Sequence, residues 1–486
     1  MPTLLVLEKP EAWGLHLNGV EVVAAQEYLV NPKYHDAKRT KVFNLCKTYS
    51  YQTVGYYVSL LASARGHKPM PSAETLQDLR QASIIRIASE DLDEYIQLAF
   101  KDLKTSDFEL SIYFGRNLAK RYDRLSRALF NQFPAPLLRA EFRYKEKWKL
   151  ESLRPIAAGD IPESHHNFVR EQAERYFDRP HGPAIIKNPY YEIGILINPE
   201  EVNAPSNDKA KAKFVKAAKM AGMQPTLIRK EDYGRVAEFD ALFIRETTSV
   251  NHHTYRFARR AAAEGLIVID DPESIVRCSN KVYLAELFKK HKISAPKTYM
   301  VHRNTMAKIE QEISFPCVVK QPDSSFSMNV SKANNITEFR SHVAEILEES
   351  ELAVVQHFVP SDFDWRIGVI DGQALYACRY HFAKGDWRIQ TVDHNGNKCY
   401  GKVETIAIED APNEVVTLAI KATAHIGDGF YGVDIKQNSE GFFVVEINDN
   451  PNIDSGYEDK ILKDRLYASI INVFVKRLEA RRLRLL

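Results

Sequence analysis

The segment Tyr431 to Asn448, YGVDIKQNSEGFFVVEIN, constrains the fold of this chain more than any other. It reads as strand, turn, strand, with NSEG as the turn. Pairing centred on that turn sets Asp434 directly across from Val445 or Glu446. Two carboxylates facing each other beside the apolar FFVV repel; at ~4 Å and an effective dielectric near 20 the cost is about 4 kcal/mol. A cation between them removes it. Strand alternation puts Asn448 and Asn450 on the face of Glu446 and turns Asp449 the other way, where it serves only the turn. Asp434, Glu446 and Asn448 then form an oxygen-only set. Hard oxygen ligands select Mg²⁺ or Mn²⁺ over zinc, and magnesium with few protein ligands usually carries substrate phosphates. The other reading is an exposed hairpin end with ordinary Asx turns.

A second hairpin precedes it. DFDWRIGVIDGQALYACRY carries Asp371-Gly372, a strong two-residue turn signal. With that turn Ile370 faces Gln373; counting outward, Asp364 faces Arg379, and Arg366 shares the face of Asp364. One Asp with two Arg on a sheet face is either a cross-strand salt bridge or a cradle for anions, since Arg matches carboxylate and phosphate geometry. The following GDWRIQ adds Arg388.

Two lysines stand at the ends of apolar elements. FPCVVKQPDSSFSMNV runs a strand into Lys320 and then into a loop of small polar residues able to offer N–H groups and hydroxyls to phosphate. RCSNKVYLAELFKKHK predicts a helix capped by Ser279 or Asn280, with Lys281 in its first turn. That end of a helix is unfavourable for a cation, and a bound phosphate would offset the cost; a solvent-facing Lys is the alternative. LAVVQHFVP predicts a buried strand whose end, Gln356, His357 and Phe358, either presents polar backbone to a base or is simply core.

Other motifs lack the context they need. GDGFYG, Gly427 to Gly432, spells a dinucleotide fingerprint, but a helix precedes it and a strand follows, the reverse of the required order. GNKCYGKV, Gly396 to Val403, lacks the hydroxyl that a phosphate loop places after its Lys. The His pairs in SHHN and NHHT have no acidic or Cys partner at metal spacing, and adjacent side chains on one element diverge, so both read as polar surface. The five cysteines form no CxxC pair, which suits a reduced, cytoplasmic protein. A net charge of +2, from 66 basic and 64 acidic residues, gives no footprint for nucleic acid or membrane. The start, MPTLLVLEKPEAW, lacks the basic region of a signal peptide, and no stretch nears the ~20 apolar residues of a membrane span. The basic VKRLEARRLRLL reads as a solvated helix end.

Along the chain, residues 1–150 alternate strand-like RTKVFNL, ASIIRIAS and FELSIYFG with helical YQTVGYYVSLLASARG and LAKRYDRLSRALFNQF. Residues 151–190 scatter prolines through polar sequence and read as a linker or wrapping segment. A βαβ pattern follows in EIGILIN, KAKFVKAAKMAGM, QPTLIR and DALFIR. From about residue 296 the strands become hairpin-like and the helices fewer, which predicts an α+β unit.

In this order, DDPESIVRCSNKVYLAELF, PCVVKQP, VVQHFVPSDFDWRIGVIDG, YGVDIK and VVEINDNPNID resemble the ATP-grasp carboxylate–amine ligases, and within them the RimK-like ligases, over about residues 240 to 460. The resemblance implies a multidomain α/β and α+β chain: an N-terminal α/β domain of a RimK-like subfamily (1–150), the linker (151–190), a Rossmann-like pre-ATP-grasp domain (191–295) and an ATP-grasp domain (296–486). It implies that Lys281 and Lys320 hold ATP phosphates. Gln356, His357 and Phe358 would line the adenine slot and Asp364 the ribose end. Asp434, Glu446 and Asn448 would bind two Mg²⁺ or Mn²⁺ ions, and Arg366, Arg379 and Arg388 would face the γ-phosphate and the acyl substrate. The family's loop is usually Gly-rich where this chain has SSFSMNV, and Gln390 stands where an Asn is common. The implied reaction activates a carboxylate as an acyl phosphate, which an amine attacks. An amino acid such as glutamate would be joined to a small amine, a peptide or a protein terminus, with no nucleic-acid or membrane partner and homo-oligomerisation left open. An ATP-binding regulator or scaffold, or a phosphotransferase, are the alternatives.

Overall fold

The structure is a computed structural model that describes residues 2–14, 17, 19–35, 40–177, 190–323, 330–383, 390–392 and 398–484. The chain divides into two compact units, Met1–Pro189 with Glu231–Phe239, and Tyr190–Lys230 with Asp240–Leu486.

The first unit holds a parallel sheet in the order Val20–Ala24, Thr3–Leu7, Lys41–Asn44, Lys68–Met70. An antiparallel sheet joins Asp107–Tyr113, Leu137–Tyr144 and Trp148–Pro155. The aromatic rings of Phe108, Tyr122, Phe142 and Trp148 pack around Phe100. Two expectations are corrected here. ASIIRIAS belongs to a helix, Ala82–Asp91, that buries Ile85, Ala88 and Ser89; those positions recur at helical spacing, and the paired isoleucines mimic a strand only locally. Residues 151–177 are not a linker. They complete the strand Trp148–Pro155 and form the helix His166–Phe177, whose Val169, Ala173 and Tyr176 enter the core. Prolines misled the expectation because Pro155 ends the strand rather than interrupting one. Glu238 is buried in this unit, accepting from Tyr176 at 2.6 Å and pairing with Lys41 and Arg235. Burial alone would raise its pKa, but Arg235 and Lys41 pull it down to about 2.

In the second unit a parallel sheet runs Ile267–Ile269, Ala241–Ile244, Tyr191–Leu196, Met223–Ile228. Its central strands are buried along their whole length, as a sheet covered on both faces requires. The helix Asp464–Arg484 presents Leu466, Tyr467, Ile470, Phe474 and Leu478 to the same core, while Arg482 stays exposed.

Two antiparallel sheets follow. One runs Thr298–Val301, Ala353–His357, Cys317–Lys320, Val330–Ala333. The helix Ile336–Glu349 buries Phe339, Val343, Ile346 and Leu347 in the core of that sheet. The other runs Val403–Ile406, Gln373–His381, Phe363–Ile370, Phe430–Asn438, Gly441–Asn448. The helix Asn413–Thr423 covers the face of Trp365, Ile367, Val433, Ile435 and Ile447. The opposite face is thereby left to carry chemistry.

Candidate nucleotide and ligation site

The hairpin Phe430–Asn448 sets Asp434 across from Glu446 through a bulge that leaves Val445 without a cross-strand partner. The bulge has a precise effect on parity. Without the extra residue Asp434 would face Val445, and Glu446 would point into the helix-covered core. With it, Asp434, Glu446 and Asn448 share one face, and the Asn448 amide donates to Asp434 Oδ2 at 3.3 Å.

The repulsion expected between the carboxylates is met by side-chain cations. Arg366 donates to Asp434 through Nε at 2.5 Å and Nη2 at 2.7 Å. Lys281 Nζ lies 3.3 Å from Glu446 Oε1. Burial alone would raise the Glu446 pKa, but Lys281 and Lys320 outweigh it and hold the group below the usual carboxylate range. Gly432 sits beside this arrangement, where a Cβ would come within 2.7 Å of Pro451 and 3.2 Å of Arg366 Cδ. The glycine is what lets the Arg366 side chain lie across the sheet.

The same face opens on a cavity of about 760 Å³ lined by Lys281, Lys320, Asp364, Arg366, Asp434, Glu446 and Asn448. Asn280 caps the helix Lys281–Lys290, accepting from the amides of Val282 and Tyr283, so Lys281 is its first residue. Lys320 ends the strand Cys317–Lys320 and is 7% exposed; burial pushes its pKa down to about 8. Its ammonium donates to Gln356 Oε1 at 2.9 Å, and Gln356 in turn donates to Thr298 Oγ1. Gln356 thus orients Lys320. Gln356, His357 and Phe358 do not line this cavity; the His357 ring lies tilted beside that of Tyr299, centroids 5.9 Å apart, and Lys332 lies over the Phe358 ring at 4.0 Å. Asp364 accepts from Lys436 Nζ at 2.6 Å.

The second hairpin departs from the expected register. Ile370 faces Gln373, but a bulge between Gly368 and Val369 shifts the rest by one, so Asp364 faces Tyr380 and Arg379 faces Trp365. The Tyr376 ring explains the site of the shift: it lies over Gly368, and a Cβ there would come within 2.1 Å of it. Arg379 therefore points to the helix-covered side, its guanidinium 4.7 Å from the Trp365 ring and 5.0 Å from that of Phe363. Its expected place at the γ-phosphate is corrected. Arg388, the Gln390 side chain and the serine-rich loop 324–329 lie outside the described residues.

Asp449 is corrected too. It is 6% exposed, lines the same cavity and accepts from Thr248 Oγ1 at 2.7 Å; burial raises its pKa to about 7. Strand parity ceases to apply at Asn448, where the strand ends. Two further residues were missed. Lys436 shares the parity of Asp434, a signal present in the sequence. Arg245 is fully buried at the end of the strand Ala241–Ile244 and donates to Asn450 Oδ1 at 2.6 Å and Pro451 O at 2.9 Å. An Arg at the carboxyl end of a buried parallel strand marks the usual ligand-facing edge.

The donor set fits Mg²⁺. Asp434, Glu446 and Asn448 supply oxygens only, on one face of the cavity that Lys281 and Lys320 also line.

Two family models match this chain. Residues 25–172 match the family model of the RimK-like ATPgrasp N-terminal domain, and residues 278–472 that of the RimK-like ATP-grasp domain. The α-aminoadipate–LysW ligase LysX of Saccharolobus solfataricus is 30% identical over 195 residues, 38% of this chain and 67% of that protein. The coenzyme γ-F420-2:α-L-glutamate ligase of Methanocaldococcus jannaschii is 27% identical over 218 residues, 43% of this chain and 70% of that protein. A D-alanine–D-alanine ligase from Bacillus anthracis, solved with ATP, aligns at 14% identity and a TM-score of 0.47, over 60% of this chain and 99% of that one. The first relatives are matched over 63% to 67% of their own length. No helix among the described residues is long and apolar enough to cross a membrane. The chain belongs to the RimK-like family of ATP-grasp carboxylate–amine ligases.

Proposed function

We propose that this chain forms an amide bond between an amino acid, of which glutamate is the leading candidate, and an amine or peptide acceptor, consuming ATP. The observation that carries the reading is the convergence of Lys281, Lys320, Arg366, Asp434, Glu446 and Asn448 on one cavity. The set suits phosphate and a hard cation, and Cys278, which also lines the cavity, is held as the thiol by burial. The curated relatives named above are ligases of α-aminoadipate or glutamate.

In this reading a carboxylate oxygen of the acid attacks the γ-phosphorus of ATP, the bond to ADP breaks, and an acyl phosphate forms. The amine then attacks the acyl carbon, and phosphate leaves as the amide forms. Lys281 and Lys320 hold phosphate oxygens, with Gln356 keeping Lys320 aimed. Arg366 supports the negative charge that develops on transfer. Asp434, Glu446 and Asn448 would hold one or two Mg²⁺ ions, which would supply charge neutralisation to the phosphates. Asp364 would serve the ribose end, and Gln356, His357 and Phe358 the strand beside the base. Lys281 and Arg366, paired here with Glu446 and Asp434, also line the cavity and are placed to turn to phosphate.

The test is ADP release by the full-length chain across a panel of amino acids and amines, with mass spectrometry of the products. An amide product that requires both acid and amine supports the reading. ADP release with a stable phosphorylated product would instead indicate phosphotransfer, and nucleotide binding without turnover would indicate a regulator or scaffold.

A further inference from the structure

The loop Thr247–Asn251 forms one wall of the cavity, and at its ends stand groups that the ligation chemistry does not use. Glu246 precedes the loop; His252 and His253 follow it. Adjacent side chains diverge when they share an element, but these two do not. His252 is the N-cap of the helix His253–Ala263, with φ −114° and ψ 161°, and His253 is the first helical residue. The change of backbone conformation between them folds the rings together, with centroids 3.9 Å apart. One ring nitrogen of each and a carboxylate oxygen of Glu246 lie within 4.8 Å of one another. The acidic partner that the sequence spacing hid is thus supplied from across the loop.

The surroundings suit a metal ligand set better than an ion pair. Glu246 is 2% exposed, and its Oε2 meets His253 Nε2 at 2.9 Å. No Lys or Arg among the described residues forms a salt bridge with it. A buried carboxylate partnered by an imidazole lacks a full countercharge. The Thr254 hydroxyl lies 3.1 Å from His252 Nδ1 and 3.4 Å from Thr247 O. That contact engages Nδ1, and ligating histidines are usually held in this way through the ring nitrogen that does not bind the metal.

Two imidazoles and a carboxylate favour borderline ions such as Zn²⁺, unlike the oxygen-only set on the Asp434 strand. Ligand atoms around tetrahedral zinc lie roughly 3.4 Å apart, a spacing that small rotations reach from the observed cluster. We propose that Glu246, His252 and His253 bind a divalent ion of the Zn²⁺ class, distinct from the Mg²⁺ site, that ties together the two ends of the 247–251 loop and holds Thr248 against Asp449.

The probe is Co²⁺, titrated into metal-stripped full-length protein in saturating Mg²⁺, which blocks the oxygen-only site. The expected result is one equivalent bound, with the intense visible bands of four- or five-coordinate Co²⁺ carrying nitrogen ligands. His252→Ala should weaken that binding by at least roughly tenfold, and Glu246→Gln, which keeps the side-chain shape, should do the same. Asp434→Asn should leave it unchanged, and circular dichroism should be native for all three. Absence of binding by the unsubstituted chain overturns the proposal. So does undiminished binding in a folded His252→Ala protein, or a signal that disappears with Asp434→Asn while surviving in His252→Ala.

Discussion

Two hairpins lie side by side in one sheet, and each contains one bulge, with opposite consequences. In the hairpin Phe430–Asn448 the extra Val445 turns Glu446 onto the face of Asp434 and so assembles the oxygen cluster. In the hairpin Phe363–His381 the shift beside Gly368 turns Arg379 away from that face and onto Trp365. A single inserted residue decides whether a charged side chain faces the cavity or the helix-covered layer. Counting outward from a turn gives strand pairing, but not the point at which the pairing slips.

The largest effect that can break this contrast comes from Glu446→Gln. It keeps the shape and removes the charge, and ATP-dependent ligation should fall by roughly 10³-fold. Undiminished turnover of a folded variant would remove Glu446 from the site. Arg366→Ala comes next. It leaves Asp434 without its bidentate partner in a pair whose side chains are each 14% exposed, so denaturant unfolding should show a loss of about 3 kcal/mol; an unchanged midpoint would mean that Asp434 finds another cation.

A third effect is readable in pH. The Lys320 pKa is depressed to about 8. Its free ammonium therefore loses a proton as pH rises through that value, while bound phosphate favours the protonated form. Affinity for an ATP analogue should fall up to about tenfold per pH unit above about 8, and Lys320→Arg should flatten the slope in calorimetric titrations. Gly368→Ala should cost about 1–3 kcal/mol, because the new methyl must displace the Tyr376 ring; a neutral effect on thermal unfolding would show that the ring moves freely. The smallest effect belongs to Arg379→Ala, expected to change turnover by less than about threefold while mildly loosening its packing on Trp365 and Phe363. A collapse of turnover in the folded variant would restore Arg379 to the reaction.

Much of the candidate site was legible because it rests on local pattern. Glu446 and Asn448 share a face by strand parity, while the turn count left Asp434 opposite Val445 or Glu446 and only the bulge decides for Glu446; Lys281 follows from a helix cap, and Lys320 from the end of an apolar run. What escaped depends on contacts distant in sequence. Arg245 reaches Asn450 and Pro451 across some two hundred residues, and nothing in either neighbourhood announces the meeting. Glu246 joins the His pair only because a loop returns the chain. The helix Ala82–Asp91 was misread for a different reason: its paired isoleucines favour a strand, and only the wider spacing of its buried residues reveals the helix. The pattern of strands and helices that defines the fold was legible where the period was long and clean, as in the strand Tyr191–Leu196 and the helix Asp208–Met220.

The start of the helix Lys281–Lys290 is tied to the exit of the Lys320 strand. The Lys281 amide donates to Pro322 O at 2.9 Å, and the Asn280 side chain donates to Asp323 at 2.6 Å. The same helix buries Leu284, Leu287 and Phe288 in the core beneath the Asp434 sheet. Its first turn is therefore a rivet between two sheets: its apolar face belongs to the sheet of the carboxylates, while its leading amide and cap are fastened to the exit of the Lys320 strand.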